Sequence, residues 1–242
     1  MLTMDPKFDI EAWLAKNPPK TYDPVPSPKG LVESWVSHQF PPAQVNELSD
    51  VSFFLYNLSN ARFVGRTKPE IVTPLELRPP EILLGGEWDE SIDIWMLGNL
   101  VFYLLTLKTP FTTSLVSFEY NCFWPRSFGM FQELSKDWPK SSVDFLLAQM
   151  SAFCQKAFPP ELLQTCENRD EYFDASGRLK RYPTCFKRPW FDRLKYSLVP
   201  LTLEEQLDVA NFMNRCLQTL PSKRATAEEL LQDPWLTRED AT

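Results

Sequence analysis

The sequence predicts a mainly α-helical domain in which several helices pack around one central helix. Hydrophobic residues make up 43% of the 242 residues and aromatic residues 14%, a composition typical of a globular chain with a substantial core. One segment, residues 91–107, is apolar on nearly every face of a helix, which is typical of a helix at the centre of a domain. Three later segments have apolar residues at helical spacing along one side. Besides these helices, we expect one short strand and one small hairpin.

The first 50 residues are expected to be mostly irregular. They contain eight of the 22 prolines, and proline lacks an amide donor and restricts the residue before it. One short helix is expected over residues 8–16, where Ile10, Trp13 and Leu14 form an apolar face. Residues 51–56 are rich in β-forming side chains and predict a short strand. We therefore separate an irregular segment, 1–50, from a main domain, 51–242.

The central helix is expected to run through Leu107, with Asp89 or Ser91 as its N-terminal cap. Its apolar residues are Ile92, Ile94, Trp95, Met96, Leu97, Leu100, Val101, Phe102, Leu104 and Leu105.

Three more helices follow the central one. The first is expected over residues 145–158 and the second over residues 203–218, which opens with the capping box Thr202-x-x-Glu205. The apolar stripe of the second comprises Leu203, Leu207, Ala210, Met213 and Leu217.

The last helix opens with another capping box, Thr226-x-x-Glu229, and is expected to stop before Pro234. Residues 159–200 read as a long, loop-rich insert. Within it, residues 178–195 carry seven basic side chains and one acidic one. This basic run is either a docking site for an acidic partner or a solvated loop.

Charge and cysteine usage restrict the classes of partner and the compartment. The net charge of -7 argues against a nucleic-acid or anionic-membrane binder. The single histidine, His38, has no cluster of metal-ligating residues near it in the sequence. Because the five cysteines are scattered, we expect buried free thiols in a reducing compartment. Since no signal peptide is visible and the longest apolar stretch is too short to span a bilayer, we expect a cytoplasmic or nuclear protein.

Several short motifs occur in the order found in a known family. Residues 77–83 read L-R-P-P-E-I-L, residues 93–98 read D-I-W-M-L-G, and residues 221–227 read P-S-K-R-A-T-A, followed by D-P-W-L at 233–236. They resemble the Y-R-A-P-E-V-I, D-x-W-S-x-G, D-P-x-x-R-x-T/S-A and H-P-W-L segments of eukaryotic Ser/Thr protein kinases. The resemblance implies the C-terminal lobe of a kinase, built around a buried central helix, with the ATP-binding N-terminal lobe absent.

The resemblance assigns structural roles to individual residues. In the family, the glutamate matching Glu81 and the arginine matching Arg224 form a buried ion pair that ties the activation segment to the helical core. Removing one partner of such a pair strands the other charge, at a cost of roughly 3–5 kcal/mol. The alternative is that these are two unrelated surface charges. Pro80, Trp95 and Gly98 complete the matched scaffold motifs.

A second set of patterns indicates one group within the family. Residues 55–62, L-Y-N-L-S-N-A-R, are similar to the L-x-D-F-G-x-A-R pattern of SR-protein kinases and their fungal relatives, which belong to the CMGC group. Residues 157–162 and 173–178 loosely match two further segments of that group, and Trp88 matches a tryptophan after its P-E-V-I-L segment. Residues 1–29 resemble its Pro-rich stretch before the metal motif. The implied activity is ATP-dependent Ser/Thr phosphorylation.

The residues that perform this chemistry in the family are not found in the sequence. Phosphoryl transfer needs positioned phosphates, Mg²⁺ and a base for the incoming hydroxyl. The 242 residues contain no G-x-G-x-x-G, no V-A-I-K, and no Arg-Asp after His38. By alignment order, the catalytic loop and the ATP-binding lobe lie upstream of Met1. We therefore expect no catalytic residue and no bound ATP in this chain.

The metal motif is altered as well. Asn57 stands at the position of the family's magnesium-binding aspartate, and Leu58 and Ser59 follow it. An amide oxygen is a neutral ligand, so Mg²⁺ would lose a negative charge from its coordination shell, and serine in place of glycine reduces backbone freedom. Alternatively, the register is shifted and Asp50 is the aspartate, although Asp50 lacks the preceding strand and the following A-R. No bound metal is expected.

The missing catalytic loop has structural consequences. In the family, the aspartate matching Asp93 accepts hydrogen bonds from that loop, so we expect a buried Asp93 carboxylate that recruits water instead. One flank of the central helix would lose its cover, leaving an apolar patch on the order of several hundred Å². Two explanations remain open: a fragment of a longer kinase, whose missing N-terminal portion covers the flank, or a pseudokinase-type interaction module that relies on a protein partner.

Overall fold

The computed structural model describes residues 9–34, 36, 58, 61–63, 73–113, 142–154, 158–181 and 189–238. Across these residues the chain is mainly helical, and its sheet is a single two-stranded hairpin. This confirms the predicted helical class. The chain divides into two compact units, Met1–Ala61 and Arg62–Thr242, which are taken in turn.

The N-terminal unit contains a short helix and the hairpin. Helix α1 spans Ile10–Lys16, and the carboxylate of Asp9 caps it by accepting the amide of Ala12 at 2.9 Å. Strands β1 (Val25–Ser27) and β2 (Gly30–Val32) pair antiparallel. The helix lies where the apolar face of residues 8–16 predicts it, whereas the strand predicted over residues 51–56 lies outside the described residues.

The second unit begins with two helices that carry the matched motifs. Helix α2 spans Pro80–Leu83, with Pro80 at its first position, where a missing amide donor costs nothing. Helix α3 spans Ser91–Thr106, and Asp89 accepts the amide of Ser91 at 2.9 Å. The helix ends at Leu107 in a left-handed conformation, with φ of 52°. Its predicted bounds are correct to within a residue, whereas its N-cap residue is Glu90 and not the predicted Asp89 or Ser91.

Helix α3 is buried along one side and exposed along the other. The buried side includes Trp95, Gly98 and Phe102. The opposite flank presents apolar side chains that are 46–63% exposed, namely Leu100, Tyr103, Leu104 and Leu107. Helix α3 therefore has one exposed apolar flank, and it is not buried on every face.

The remaining helices are short except for two. They are α4 (Ser142–Phe153), α5 (Pro160–Leu163), α6 (Arg169–Tyr172), α7 (Trp190–Leu194), α8 (Leu203–Cys216), α9 (Ala227–Leu231) and α10 (Pro234–Thr237), with 3-10 turns at Leu75–Leu77 and Pro221–Lys223. None of the helices in the described part of the chain combines the length and apolarity needed to cross a bilayer.

Both predicted capping boxes are present. Thr202 accepts the amide of Glu205 at 3.2 Å while the Glu205 carboxylate accepts the amide of Thr202 at 2.6 Å. The backbone amide of Thr202, which contributes most, and the Thr202 side chain lower the pKa of the Glu205 carboxyl by hydrogen bonding to it. Thr226 and Glu229 form the equivalent pair at 3.2 and 2.9 Å. Capping is predictable because it depends on four consecutive residues.

The apolar stripe predicted for α8 is wrong at its start. Leu203 is 66% exposed and Leu207 is 48% exposed. The buried residues of the helix are Val209, Ala210, Phe212, Met213 and Cys216. The second half of α8 therefore makes the core contacts, while its first turns lie at the surface. Helix α4 also ends at Phe153, earlier than predicted.

The predicted insert at residues 159–200 contributes to the core. Trp190 of α7 is fully buried and its ring packs against Phe102, Phe111 and Phe153 with centroid distances of 5.7–6.0 Å. Further along, Phe158 packs edge-on against Phe173 at 5.1 Å. The described residues 158–181 and 189–200 are therefore loop-rich but anchored to the core by aromatic rings.

Candidate functional site

The centre of the candidate site is a buried ion pair between Glu81 and Arg224. The two guanidinium Nη atoms donate to the two carboxylate oxygens at 2.7 Å each, and the side chains are 1% and 0% exposed. A bidentate, charge-assisted pair of this kind is the strongest geometry available to arginine and a carboxylate. The structure therefore brings together the two side chains that the sequence motifs single out, and does not leave them as separate surface charges.

Arg224 also contacts three other residues of the second unit. Its Nε donates to the carbonyl of Gln218 at 3.0 Å, and one Nη donates to the carbonyl of Ser91 at 3.1 Å. The guanidinium carbon lies 5.1 Å from the centre of the Trp95 ring, within cation–π range. One arginine thus links α2, the start of α3 and the loop after α8.

The segment around Arg224 is itself held rigidly. Arg224 follows the 3-10 turn Pro221–Lys223, and the amide of Ala225 donates to the carbonyl of Arg215 at 3.0 Å. The guanidinium of Arg215 donates to Asp233 at 2.5 Å, and the other oxygen of Asp233 caps α10. Local turns and the ion pair of Arg215 with Asp233 therefore hold the backbone around Arg224 in place.

Gly98 allows α3 to approach the end of α8 closely. A Cβ atom built on Gly98 would lie 2.8 Å from Leu217 Cγ and 2.9 Å from Cys216 Cβ. Such distances are below ordinary carbon contacts, so a side chain here would force the two elements apart. The glycine of the D-x-W-x-x-G motif is therefore required by packing at this crossing.

Asp93 departs from the expectation that it is buried. Its side chain lies on the exposed part of the first turn of α3. Exposure lets water solvate the carboxylate, so the residue needs no buried donors. A carboxylate in the first turn also interacts favourably with the helix dipole.

The metal motif lies mostly outside the described residues. Asn57, Ser59 and the alternative aspartate Asp50 fall there, while Leu58 is exposed and its carbonyl accepts the amide of Ala61 at 3.0 Å. Among the residues that the structure describes, no group of three or more histidine, cysteine or acidic side chains could hold a metal ion.

Arg193 is a buried cation that the sequence did not reveal. Its guanidinium lies 4.4 Å from the Phe102 ring centre and 4.3 Å from that of Phe153, with Trp190 at 5.4 Å. One Nη donates to the carbonyl of Pro110 at 2.6 Å. We call this arrangement the Arg193 cage. Its rings come from three helices, so no short motif could have predicted it.

Two further cations of the basic run at residues 178–195 also make internal contacts. Arg181 donates to the buried carboxylate of Asp144 at 2.5 Å. Lys195 pairs with Asp192 at 2.8 Å. For Arg181 and Arg193, the interpretation of a solvated loop is wrong, whereas Lys195 stays at the surface.

The match at residues 173–178 is a tight turn. The carboxylate of Asp174 accepts the amide of Arg178 and the amide and hydroxyl of Ser176. These bonds lower the pKa of Asp174, the backbone bond from Arg178 contributing most. Gly177 has φ of 79°, which suits glycine.

The described cysteines are free thiols buried in the core, as predicted. Burial raises the pKa of Cys166 to about 11 and that of Cys216 to about 12. At such values a thiol stays protonated at neutral pH and is a poor nucleophile. Cys166 and Cys216 are therefore packing residues.

Residues 58–236 match the protein kinase domain family, which is well over half of the chain. The chain belongs to the protein kinase family. The ion pair of Glu81 and Arg224, with Trp95 and Gly98 on α3, thus lies within a kinase domain and connects segments that are far apart in its sequence.

The relatives of this kinase-family chain include SR-protein kinases. A serine/threonine protein kinase of Aspergillus fumigatus is 29% identical over 177 residues, covering 71% of this chain and 36% of the relative. The kinase SRPK of Physarum polycephalum is 26% identical over 180 residues, covering 74% and 37%. Mouse SRSF protein kinase 3 is 24% identical over 197 residues, covering 81% and 30%. The predicted resemblance to this group is confirmed, and the chain spans about a third of the length of these curated relatives.

Proposed function

We propose that these 242 residues form the C-terminal lobe of an SR-protein-kinase-like Ser/Thr kinase, with α3 as its central helix and without phosphotransfer activity of their own. The buried pair of Glu81 and Arg224 carries the assignment. It joins residues 143 positions apart through two hydrogen bonds, one from each Nη atom to one carboxylate oxygen. Absence of activity is supported by the sequence, which contains neither a Gly-rich phosphate loop nor a catalytic-loop base, and which has Asn57 at the metal position.

The proposal is tested with the purified chain. We expect no thermal shift on adding ATP and Mg²⁺, and no phosphate transfer to a Ser/Arg peptide. The variant Asn57→Asp should also be silent, since it restores a metal ligand but supplies neither the base nor the phosphate-binding residues. Turnover by the unmodified chain would contradict the proposal, and turnover only by Asn57→Asp would contradict the claim that two separate defects exist.

The exposed flank of α3 supports a second proposal, that of a protein-interaction module. Leu100, Tyr103, Leu104 and Leu107 recur at the spacing of one helix face, and residues 94–107 carry no charge. An apolar stripe of this kind suits contact with another protein surface. The surface is either the N-terminal portion of a kinase or a separate partner, and the net charge of -7 speaks against nucleic acid or an anionic membrane.

Dye binding and size-exclusion chromatography test the flank. We expect the chain to bind an apolar dye and to elute as more than a monomer, and Leu104→Glu to reduce both signals. Leu231→Glu is the matched control, because Leu231 is similarly exposed, at 67%, but lies on α9. A monodisperse, dye-negative chain, or equal effects of the two variants, would refute the proposed contact surface.

The compartment follows from the thiols. The free, buried Cys154, Cys166 and Cys216 support a reducing environment, so we propose the cytoplasm, the nucleus or both. Imaging of a fluorescent fusion tests this, and a fusion found only in the secretory pathway would contradict it.

A further inference from the structure

The carboxylate of Glu76 binds the loop that follows α3. Glu76 lies in the turn Leu75–Leu77, just before α2, and is partly buried. Its Oε1 accepts the amide of Thr113 at 2.6 Å, the hydroxyl of Thr113 at 2.8 Å and the hydroxyl of Thr112 at 3.2 Å. Three donors on one carboxylate oxygen form a compact, charge-assisted contact. We call this contact the Glu76 latch.

The loop side of the latch is held in place by α4. The side-chain oxygen of Gln149 accepts the amide of Thr112 at 3.1 Å, and its nitrogen donates to the Thr112 carbonyl at 2.8 Å. Gln149 is 2% exposed and also donates to the carbonyl of Phe145 at 3.1 Å. These two hydrogen bonds hold the backbone of Thr112 in place, so opening of the latch would move the segment that carries Glu76.

The Glu76 side has mainly local bonds of its own. The amide of Leu77 donates to the Pro74 carbonyl at 3.0 Å, and Arg78 Nε donates to the Thr73 carbonyl at 2.8 Å. Beyond residue 79, Glu81 is fixed separately by Arg224. Residues 77–80 thus lie between two anchors, the Glu76 latch on one side and the pair of Glu81 and Arg224 on the other.

We propose that the Glu76 latch is charge-sensitive: a negative charge at Thr113 opens it and releases residues 73–79, while the pair of Glu81 and Arg224 keeps α2 in place. An anionic side chain at position 113 loses the hydroxyl donor and places like charge beside the carboxylate, and repulsion between close like charges is strong away from bulk water. Thr113 is partly exposed, and its hydroxyl donates directly to the Glu76 carboxylate. The inference concerns the conformation of this segment and goes beyond the proposed function.

Hydrogen exchange of the full 242-residue chain tests the latch. In Thr113→Glu, amides of residues 75–78 should exchange at least about tenfold faster, because local opening becomes easier, while those of α8 keep their protection. Thr113→Val is the matched control, since it removes the hydroxyl without adding charge and retains the backbone donor, so its effect should be smaller. The double variant Glu76→Gln with Thr113→Glu should restore protection, because the glutamine amide can donate to the new carboxylate.

Four results would overturn the inference. The first is unchanged exchange at residues 75–78 in Thr113→Glu. The second is an equal loss of protection in Thr113→Val and Thr113→Glu, which would mean that charge does not matter. The third is a loss that the Glu76→Gln double variant fails to reverse. The fourth is a loss that extends to α8, since the opening would then not be local to the latch.

Discussion

Two buried arginines hold this chain together in different ways. Arg224 meets a carboxylate, Glu81, in a fully buried bidentate pair. The described contacts of Arg193 are aromatic rings and the carbonyl of Pro110. A buried cation and its buried carboxylate depend on each other, because removing one leaves the other charge without compensation. In the Arg193 cage, the rings and the carbonyl remain neutral when the cation is removed. Arg224 therefore illustrates charge pairing in the core, and Arg193 illustrates the packing of a guanidinium among aromatic rings.

The largest effect is expected from Arg224→Met. Methionine fills much of the space but strands the Glu81 carboxylate, so the free energy of unfolding should fall by roughly 3–5 kcal/mol. Urea unfolding followed by circular dichroism measures this change. A loss below about 1 kcal/mol, the value typical of an exposed pair, would show that the two charges are not interdependent.

A smaller loss is expected from Gly98→Ala, which separates α3 from the end of α8. The added methyl group meets Leu217 and Cys216 at distances below 3 Å, so we expect a loss of roughly 1–3 kcal/mol from overpacking. The shift would also disturb Gln218, whose carbonyl binds Arg224. Leu104→Ala, on the exposed flank of the same helix, is the control and should change stability by less than about 0.5 kcal/mol. Equal effects in both variants would argue against close packing at Gly98.

Arg193→Met is expected to have the smallest effect of the three. The methionine thioether packs favourably against the aromatic rings that surround Arg193, so the loss should be about 1–2 kcal/mol. The same urea titration gives the value, and its comparison with Arg224→Met sharpens the distinction between the two sites. A loss as large as that of Arg224→Met would mean that the charge of Arg193 is as strongly paired as that of Arg224.

Features set by neighbouring residues were predicted well from the sequence. The capping boxes at Thr202 and Thr226 depend on four consecutive residues, and each lies where the pattern places it. Glu81 and Arg224 are distant in sequence, and only the resemblance to kinases could connect them.

Features that depend on packing between distant segments were predicted less well. The Arg193 cage needs Phe102, Phe153 and Trp190 to converge from three helices, and a run of basic residues gives no sign of this. The exposure of Asp93 and Leu203 depends on which side of a helix meets the core. Apolar spacing alone identifies a face but not how far the contact extends along it.

The most direct test of the scaffold is a double-mutant cycle on Glu81 and Arg224. Glu81→Leu, Arg224→Met and the double variant are compared with the unmodified chain by urea unfolding. If the pair is the interdependent tie between α2 and the segment before α9, each single variant loses roughly 3–5 kcal/mol and the double variant is more stable than either, because no buried charge is stranded. If the losses of the two single variants simply add in the double variant, the two residues act independently and the account of this site is wrong.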